Sequence, residues 1–234
     1  MTGGLPRLGV VTIGQSPRVD LVPELLPRLG RVEVVERGAL DDLGRAEIAA
    51  LAPGETTVER LATRLADGRG VALDGALVAP HLRAAVRWVE EAGVTATLLV
   101  CTGHLVDIPH RRPLITAQPL VVHGVRGLVS AAGAATLGVV CPLPDQRDTA
   151  AGTWRDAADR VLVEAATPYA EPAALAEQGV ARAAADLADR GADWIVLDCM
   201  GYSERMRRLA ANASGRPVAL ARSVVARLAA EVIA

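Results

Sequence analysis

The 234-residue chain contains no phenylalanine, two tyrosines and three tryptophans. With so few rings there is no platform for stacking bases, and the core has to be assembled from Ala, Val, Leu and Ile. Neither sign of charge is in excess: 25 Lys+Arg face 27 Asp+Glu, for a net charge of -2 and a pI near 6.1. That balance leaves no basic face for nucleic acid and no cationic run for an anionic membrane. No window of about 18 uncharged apolar residues occurs, and the opening MTGGLPRLGVV lacks the basic-then-apolar order of a secretory leader. A soluble, cytoplasmic protein with a small-molecule partner is expected, without nucleic acid or membrane.

Cysteine is also scarce. Cys101, Cys141 and Cys199 form an odd, widely spaced set without a CxxC, which argues against a disulfide framework and against a cysteine-rich zinc site. His81, His110 and His123 show no ligand spacing of the HExxH kind, and the GQSPR stretch is neither a P-loop nor a G-x-G-x-x-G fingerprint. No metal and no nucleotide is expected.

What the chain does have is alternation. At 51% hydrophobic and 22% charged content, it can bury a sizeable core in one large domain or two small ones. Short β-branched runs at 8-13, 31-36, 94-100, 119-123, 137-141, 161-165, 193-198 and 217-221 read as strands. Between them, 81-93 and 179-191 read as amphipathic helices closed by glycine, with 55-67 and 223-233 similar. This order predicts an α/β protein with parallel sheets. Pro17, Pro23 and Pro27 make the helix after the first strand irregular, and 141-154 is the most loop-like interior segment.

The pattern occurs twice. LGVVTIGQSPR (8-18) and LGVVCPLPDQR (137-147) share their start and an arginine ten positions later. GVTATLLVCTGH (93-104) and GADWIVLDCMGY (191-202) align without gaps, each with a cysteine eight positions after the glycine and then x-Gly. Two matches in the same order predict two similar halves of βα units about a pseudo-twofold axis, with a cleft between them. The expected boundaries are 1-122, 123-212, and a C-terminal strand and helix, 213-234.

Ligands of open parallel sheets bind beyond the carboxyl ends of strands, where Cys101 and Cys199 fall. A thiol before a helix N-terminus would gain from the dipole and from free N–H groups, which favour thiolate and bind anions. Two such thiols across a cleft suit a two-base proton transfer on a carbon acid. Arg18 and Arg147 are candidates to hold the carboxylate or the developing charge. Gly14, Gln15, Ser16, Thr102, Gly103, Met200, Gly201 and Tyr202 complete the expected substrate-binding set. Ser16 is also read as a cap for a helix starting at Pro17. Asp198 is read either as orienting the next turn or as raising the Cys199 pKa. His104 and Tyr202 are placed in first helical turns, while Cys141 is expected to be structural.

The run LDCMGYSERMRRLAANASGRPVALARSVVARLAAEVIA (197-234), with VTIGQSPR near the start, resembles the AroM family, related to the aspartate/glutamate/hydantoin racemase superfamily. The resemblance implies a two-domain α/β fold with the C-terminal strand and helix, 213-234, packing back on the first half, chemistry without pyridoxal phosphate, metal or other cofactor, and Cys101 and Cys199 as the paired catalytic cysteines. CTG and CMG here replace the Cys-Asn-Thr and Cys-Thr-His runs of amino-acid racemases, so part of the grip on an amino acid is missing. The reading is a cofactor-independent racemase, epimerase or isomerase acting on a small carboxylate or related carbon acid, with a homodimer left open. The alternatives are a single-cysteine decarboxylase or cis-trans isomerase, and a non-catalytic carboxylate-binding sensor.

Overall fold

Parallel pairing gathers the chain into two four-stranded sheets. The computed structural model describes residues 4-104 and 107-233. They group into two units, one running to Gln118 and resuming at Ala226, the other spanning Pro119–Val225.

The first unit contains β1 (Arg7–Thr12), α1 (Val22–Leu29), β2 (Glu33–Gly38), α2 (Arg45–Ala50), β3 (Arg60–Arg64), β4 (Gly70–Asp74), α3 (Gly75–Glu91), β5 (Ala96–Leu99) and β6 (Leu114–Thr116). Its sheet has the order β2-β1-β5-β6, all parallel, while β3 and β4 form a separate antiparallel hairpin. In the second unit α4 (Ala117–Ala131) leads into β7 (Thr136–Cys141), a 3-10 turn (Pro144–Gln146), α5 (Arg147–Trp154), β8 (Arg160–Ala165), α6 (Ala173–Asp189), β9 (Trp194–Leu197), α7 (Glu204–Ser214) and β10 (Val218–Leu220); α8 (Ala221–Ile233) follows, its residues from Ala226 on grouping with the first unit. This sheet has the order β10-β9-β7-β8, again all parallel. In each unit the first strand lies between the second and third, with the fourth beyond the third. The internal repeat of the sequence is therefore a repeat of topology.

The repeated residues explain themselves in packing. β5 is buried along its whole length and β9 nearly so, as strands of a covered parallel sheet must be. In the shared LGVV start, a Cβ on Gly9 would stand 3.0 Å from Val89 of α3, and one on Gly138 would stand 3.1 Å from Leu187 of α6. Glycine at this position lets the helix lie close against the strand. Leu82, Val86 and Val89 of α3 fill one core, and Val180, Ala184 and Leu187 of α6 fill the other. Asp74 caps α3 by accepting from the amides of Ala76 and Leu77. Both helices close at a left-handed glycine, Gly93 (φ 84°) and Gly191 (φ 92°).

Several expectations are corrected. The 119-123 run is helical, part of α4, where Pro119 is tolerated because it falls in the first turn; the strand is the three-residue β6 just before it. The 55-67 segment holds β3, not a helix, with Leu61, Thr63 and Leu65 buried in alternation. The loop expected over 141-154 is mostly the 3-10 turn and α5. After β1, the helix starts only at Val22 with Leu21 at its N-cap, so Ser16 does not cap it; Pro23 sits in its first turn and Pro27 within it. Among the described residues no helix is long and apolar enough to cross a membrane.

Candidate functional site

Each sheet delivers a cysteine just past the end of its third strand, and the backbone treats the two alike. The Gly103 N–H donates to Cys101 Sγ at 3.4 Å, and the Gly201 N–H donates to Cys199 Sγ at 3.4 Å. Both thiols are nearly covered, at 8% and 6% exposure. The expected place of both at a helix N-terminus is corrected: α4 begins at Ala117, and α7 is capped by Ser203. His104 and Tyr202 accordingly precede those helices. The donor that a helix end would have supplied comes instead from the glycine amide of a Cys-x-Gly turn.

These glycines serve by leaving room. A Cβ on Gly103 would overlap Leu61 Cδ2 and stand 3.0 Å from Glu59 Oε1. One on Gly201 would overlap the Tyr169 hydroxyl and stand 2.8 Å from Pro168 Cγ. A carboxyl therefore closes over the Cys101 turn and a phenol over the Cys199 turn. Glu59 Oε1 accepts from the His104 amide at 2.9 Å, next in the chain to the amide that holds Cys101. Burial lifts the Glu59 carboxyl above its ordinary pKa, against the opposing pull of His104. The Tyr169 hydroxyl lies 3.9 Å from Cys199 Sγ, at the outer limit of a hydrogen bond to sulfur.

The remaining expected residues fall into distinct places. Tyr202 is fully buried, and its hydroxyl donates to the Ala166 carbonyl at 2.7 Å, so it walls the Cys199 turn and does not present its hydroxyl to solvent. Burial, with the neighbouring Cys199, Cys141, Asp198 and Tyr169, holds its pKa well above the usual phenol value. Met200 is buried; its carbonyl accepts from Arg222 Nη2 (2.7 Å) and Nε (3.0 Å), a guanidinium only 1% exposed. Thr102 is half-buried.

The loop after β1 is held within its own unit. Ser16 donates through its amide and hydroxyl to the two carboxylate oxygens of Asp41 (2.7 and 2.6 Å). Gln15 donates to the Leu40 carbonyl and accepts from the Ala66 amide. A Cβ on Gly14 would collide with the Arg64 carbonyl. The Arg18 guanidinium, 4% exposed, forms a bidentate pair with Asp20 (2.8 Å twice) and donates to Thr12 Oγ1 (2.9 Å). Its carboxylate partner is thus internal. Arg147 differs: it opens α5, is half exposed and pairs with Glu164 at 3.2 Å.

Asp198 accepts from the Trp154 indole N–H at 2.7 Å, a link between β9 and α5 that neither expectation for Asp198 included. Cys141 points to the carbonyls of Leu143 and Glu164. Burial, aided by the Asp198 charge, pushes its thiol up to about 11. Among the described residues no group of three or more His, Cys, Asp or Glu is placed to hold a metal ion. A separate concavity of about 570 Å³ in the first unit lies between α2 and the β3–β4 hairpin, over Ile48, Leu65 and Val71, and includes no cysteine.

Sequence reading missed Glu59, Tyr169, Trp154 and Arg222. Reading 55-67 as a helix hid Glu59. A usable signal existed for Tyr169: the chain has only two tyrosines, and both flank Cys199.

Two parallel βα units of one strand order give the chain an aspartate/glutamate racemase-like α/β fold. The AroM protein family model matches residues 8-233, and the chain belongs to the AroM family. The fold is similar to that of Picrophilus torridus aspartate racemase (TM-score 0.61, 10% identity, 97% of this chain and 94% of that one). It is also similar to glutamate racemase from Francisella tularensis subsp. tularensis SCHU S4 in complex with D-glutamate (0.60, 13%, 97% and 81%). Unliganded arylmalonate decarboxylase is a further structural neighbour (0.59, 12%, 98% and 93%). At these identities the likeness carries the fold alone. No curated protein matches the chain by sequence.

Proposed function

We propose that the protein is a cofactor-independent racemase, epimerase or isomerase of a small carboxylate or related carbon acid, using Cys101 and Cys199 as a proton-transfer pair. The observation that carries this reading is the duplicated turn: each unit sets a thiol at the carboxyl end of its third strand and aims a glycine amide at the sulfur. An N–H donated to sulfur favours the thiolate, the form that can remove a proton. One thiolate takes the proton from carbon while the other thiol protonates the opposite face. The charge left on the carbanion spreads into an adjacent carboxylate or carbonyl, which needs a cation or N–H donors. Arg147, half exposed and paired with Glu164 through Nη2, suits that work better than Arg18, whose fork is filled by Asp20.

A second reading, a single-cysteine decarboxylase in which Cys199 delivers one proton, is favoured by the phenol placed at Cys199 alone. The test is an NMR screen of amino acids, hydantoins, dicarboxylates and arylmalonates in D₂O, with wild type beside Cys199→Ala and Cys101→Ser. Cysteine-dependent deuteration at a retained carbon acid supports proton transfer, and loss of carbon dioxide supports decarboxylation. Tight binding without exchange or conversion refutes both and leaves a carboxylate-binding protein.

A further inference from the structure

The two Cys-x-Gly turns match in backbone and differ in what covers them. Over Cys101 stands a carboxyl: the amides of Gly103 and His104, consecutive in the chain, donate to Cys101 Sγ and Glu59 Oε1 respectively. Thiol and carboxyl therefore flank one glycine, whose Cβ position lies 3.5 Å from the sulfur and 3.0 Å from the oxygen. Over Cys199 stands a phenol, its hydroxyl 3.9 Å from the sulfur. An anion near a thiol disfavours its ionisation, whereas a hydroxyl that donates to sulfur stabilises the thiolate.

We propose that Glu59 and Tyr169 are positioning residues that give the two thiols opposite resting roles, Glu59 keeping Cys101 as the proton donor and Tyr169 supporting Cys199 as the thiolate base. The proposal rests on the two-cysteine reading above. In the forward step the substrate C–H bond breaks and its proton goes to Cys199 sulfur. The Cys101 S–H bond breaks as its proton joins the opposite face of the carbanion, leaving the electron pair on Cys101. The enzyme then holds Cys199 thiol and Cys101 thiolate. Resetting requires one proton to return to Cys101 from water and one to leave Cys199 for water, so the solvent balance is zero.

Other titratable groups stand near both turns. At Cys101, His104 faces Glu59. Near Cys199 stand Tyr202, whose hydroxyl donates to the Ala166 carbonyl, and Asp198, which accepts from Trp154 and whose charge raises Cys141.

The test reads each thiol separately and needs no turnover. Alkylation by iodoacetamide is followed across pH and resolved by cysteine through mass spectrometry, for wild type, Glu59→Gln, Glu59→Asp and Tyr169→Phe. In wild type Cys199 should titrate below Cys101. Glu59→Gln should lower the Cys101 midpoint and speed its alkylation about three- to tenfold at pH 8, equivalent to roughly half to one pH unit, while Glu59→Asp should restore it. Tyr169→Phe should raise the Cys199 midpoint and leave Cys101 in place. A merely structural role would change exposure and hence rates at every pH, without moving either midpoint. Unmoved midpoints, or equal movement of both cysteines in each variant, would overturn the proposal. Absence of deuterium exchange in wild type with these midpoint shifts intact would instead refute the two-cysteine function.

Discussion

Adding one methyl group at Gly201 tests the packing on which the Cys199 turn depends. A Cβ there meets the Tyr169 hydroxyl, the Tyr169 ring carbon at 2.5 Å and Pro168 at 2.8 Å. A phenol ring and a pyrrolidine cannot bend aside, so one of the segments has to move. Overpacking of this kind costs about 1–3 kcal/mol, and for a chain of this size each kcal/mol lowers Tm by about 2–4 °C. Gly201→Ala should therefore melt about 2–12 °C below wild type. Gly103→Ala offers the contrast within the same motif, because its nearest obstacle is the flexible end of Leu61; its loss should be smaller. Gly127→Ala, in α4 with nothing within 4 Å of the new carbon, should match or exceed wild type through helix propensity. Differential scanning calorimetry of the three variants at one pH decides it. A Gly201→Ala melt equal to wild type, or no lower than that of Gly103→Ala, would refute the reasoning.

Other consequences are separately measurable. With its pKa near 11 against 9.0 for an unperturbed thiol, Cys141 should carry about one hundredth of the usual thiolate at pH 8; peptide-resolved alkylation showing Cys141 as fast as a free thiol would contradict this. Arg222→Met removes two donations to the Met200 carbonyl, each worth about 1.5–3 kcal/mol when charge-assisted, and recovers part of the cost of burying the charge. A net loss of about 1–3 kcal/mol in urea unfolding is expected, and an unchanged midpoint would show that the contact contributes nothing. Because burial raises the Glu59 pKa, the folded state binds that proton more tightly than the unfolded state. Its contribution to stability is present at acid pH and is lost as pH rises from the ordinary carboxyl value through the folded one. Glu59→Gln should therefore gain on wild type between pH 4 and pH 7 in denaturant midpoints, and a gap that narrows with pH would be contrary evidence.

Much of the architecture was legible because parallel strands and their covering helices leave opposite marks in sequence. The paired stretches around Gly9 and Gly138, and around Cys101 and Cys199, predict two similar βα halves, and the two sheets share one strand order. The β3–β4 hairpin was missed for a specific reason. Leu61 and Leu65 are four apart, a spacing that satisfies both a helix face and a strand face. Only Thr63, polar yet buried, distinguishes the two. In 119-123 the β-branched valines resembled a strand, but tertiary packing carried them in a helix and left a three-residue strand too short to read. The cysteines of the candidate site were visible from spacing, whereas Glu59 and Tyr169 reach them from segments distant in sequence. Arg18 was visible as a repeated arginine, but its partner Asp20, two residues on, could not be weighed without the loop's geometry.

The central claim is that two cysteines share one proton transfer, and it is tested most directly by separating exchange from inversion. A substrate identified in the D₂O screen is supplied as each pure enantiomer to wild type, Cys101→Ser and Cys199→Ala. Deuterium content is followed by NMR and configuration by chiral chromatography. The account predicts inversion with deuterium uptake in wild type. It predicts exchange with retained configuration, for one enantiomer only, in Cys101→Ser, and for the opposite enantiomer in Cys199→Ala. Inversion at the wild-type rate by either variant would contradict it.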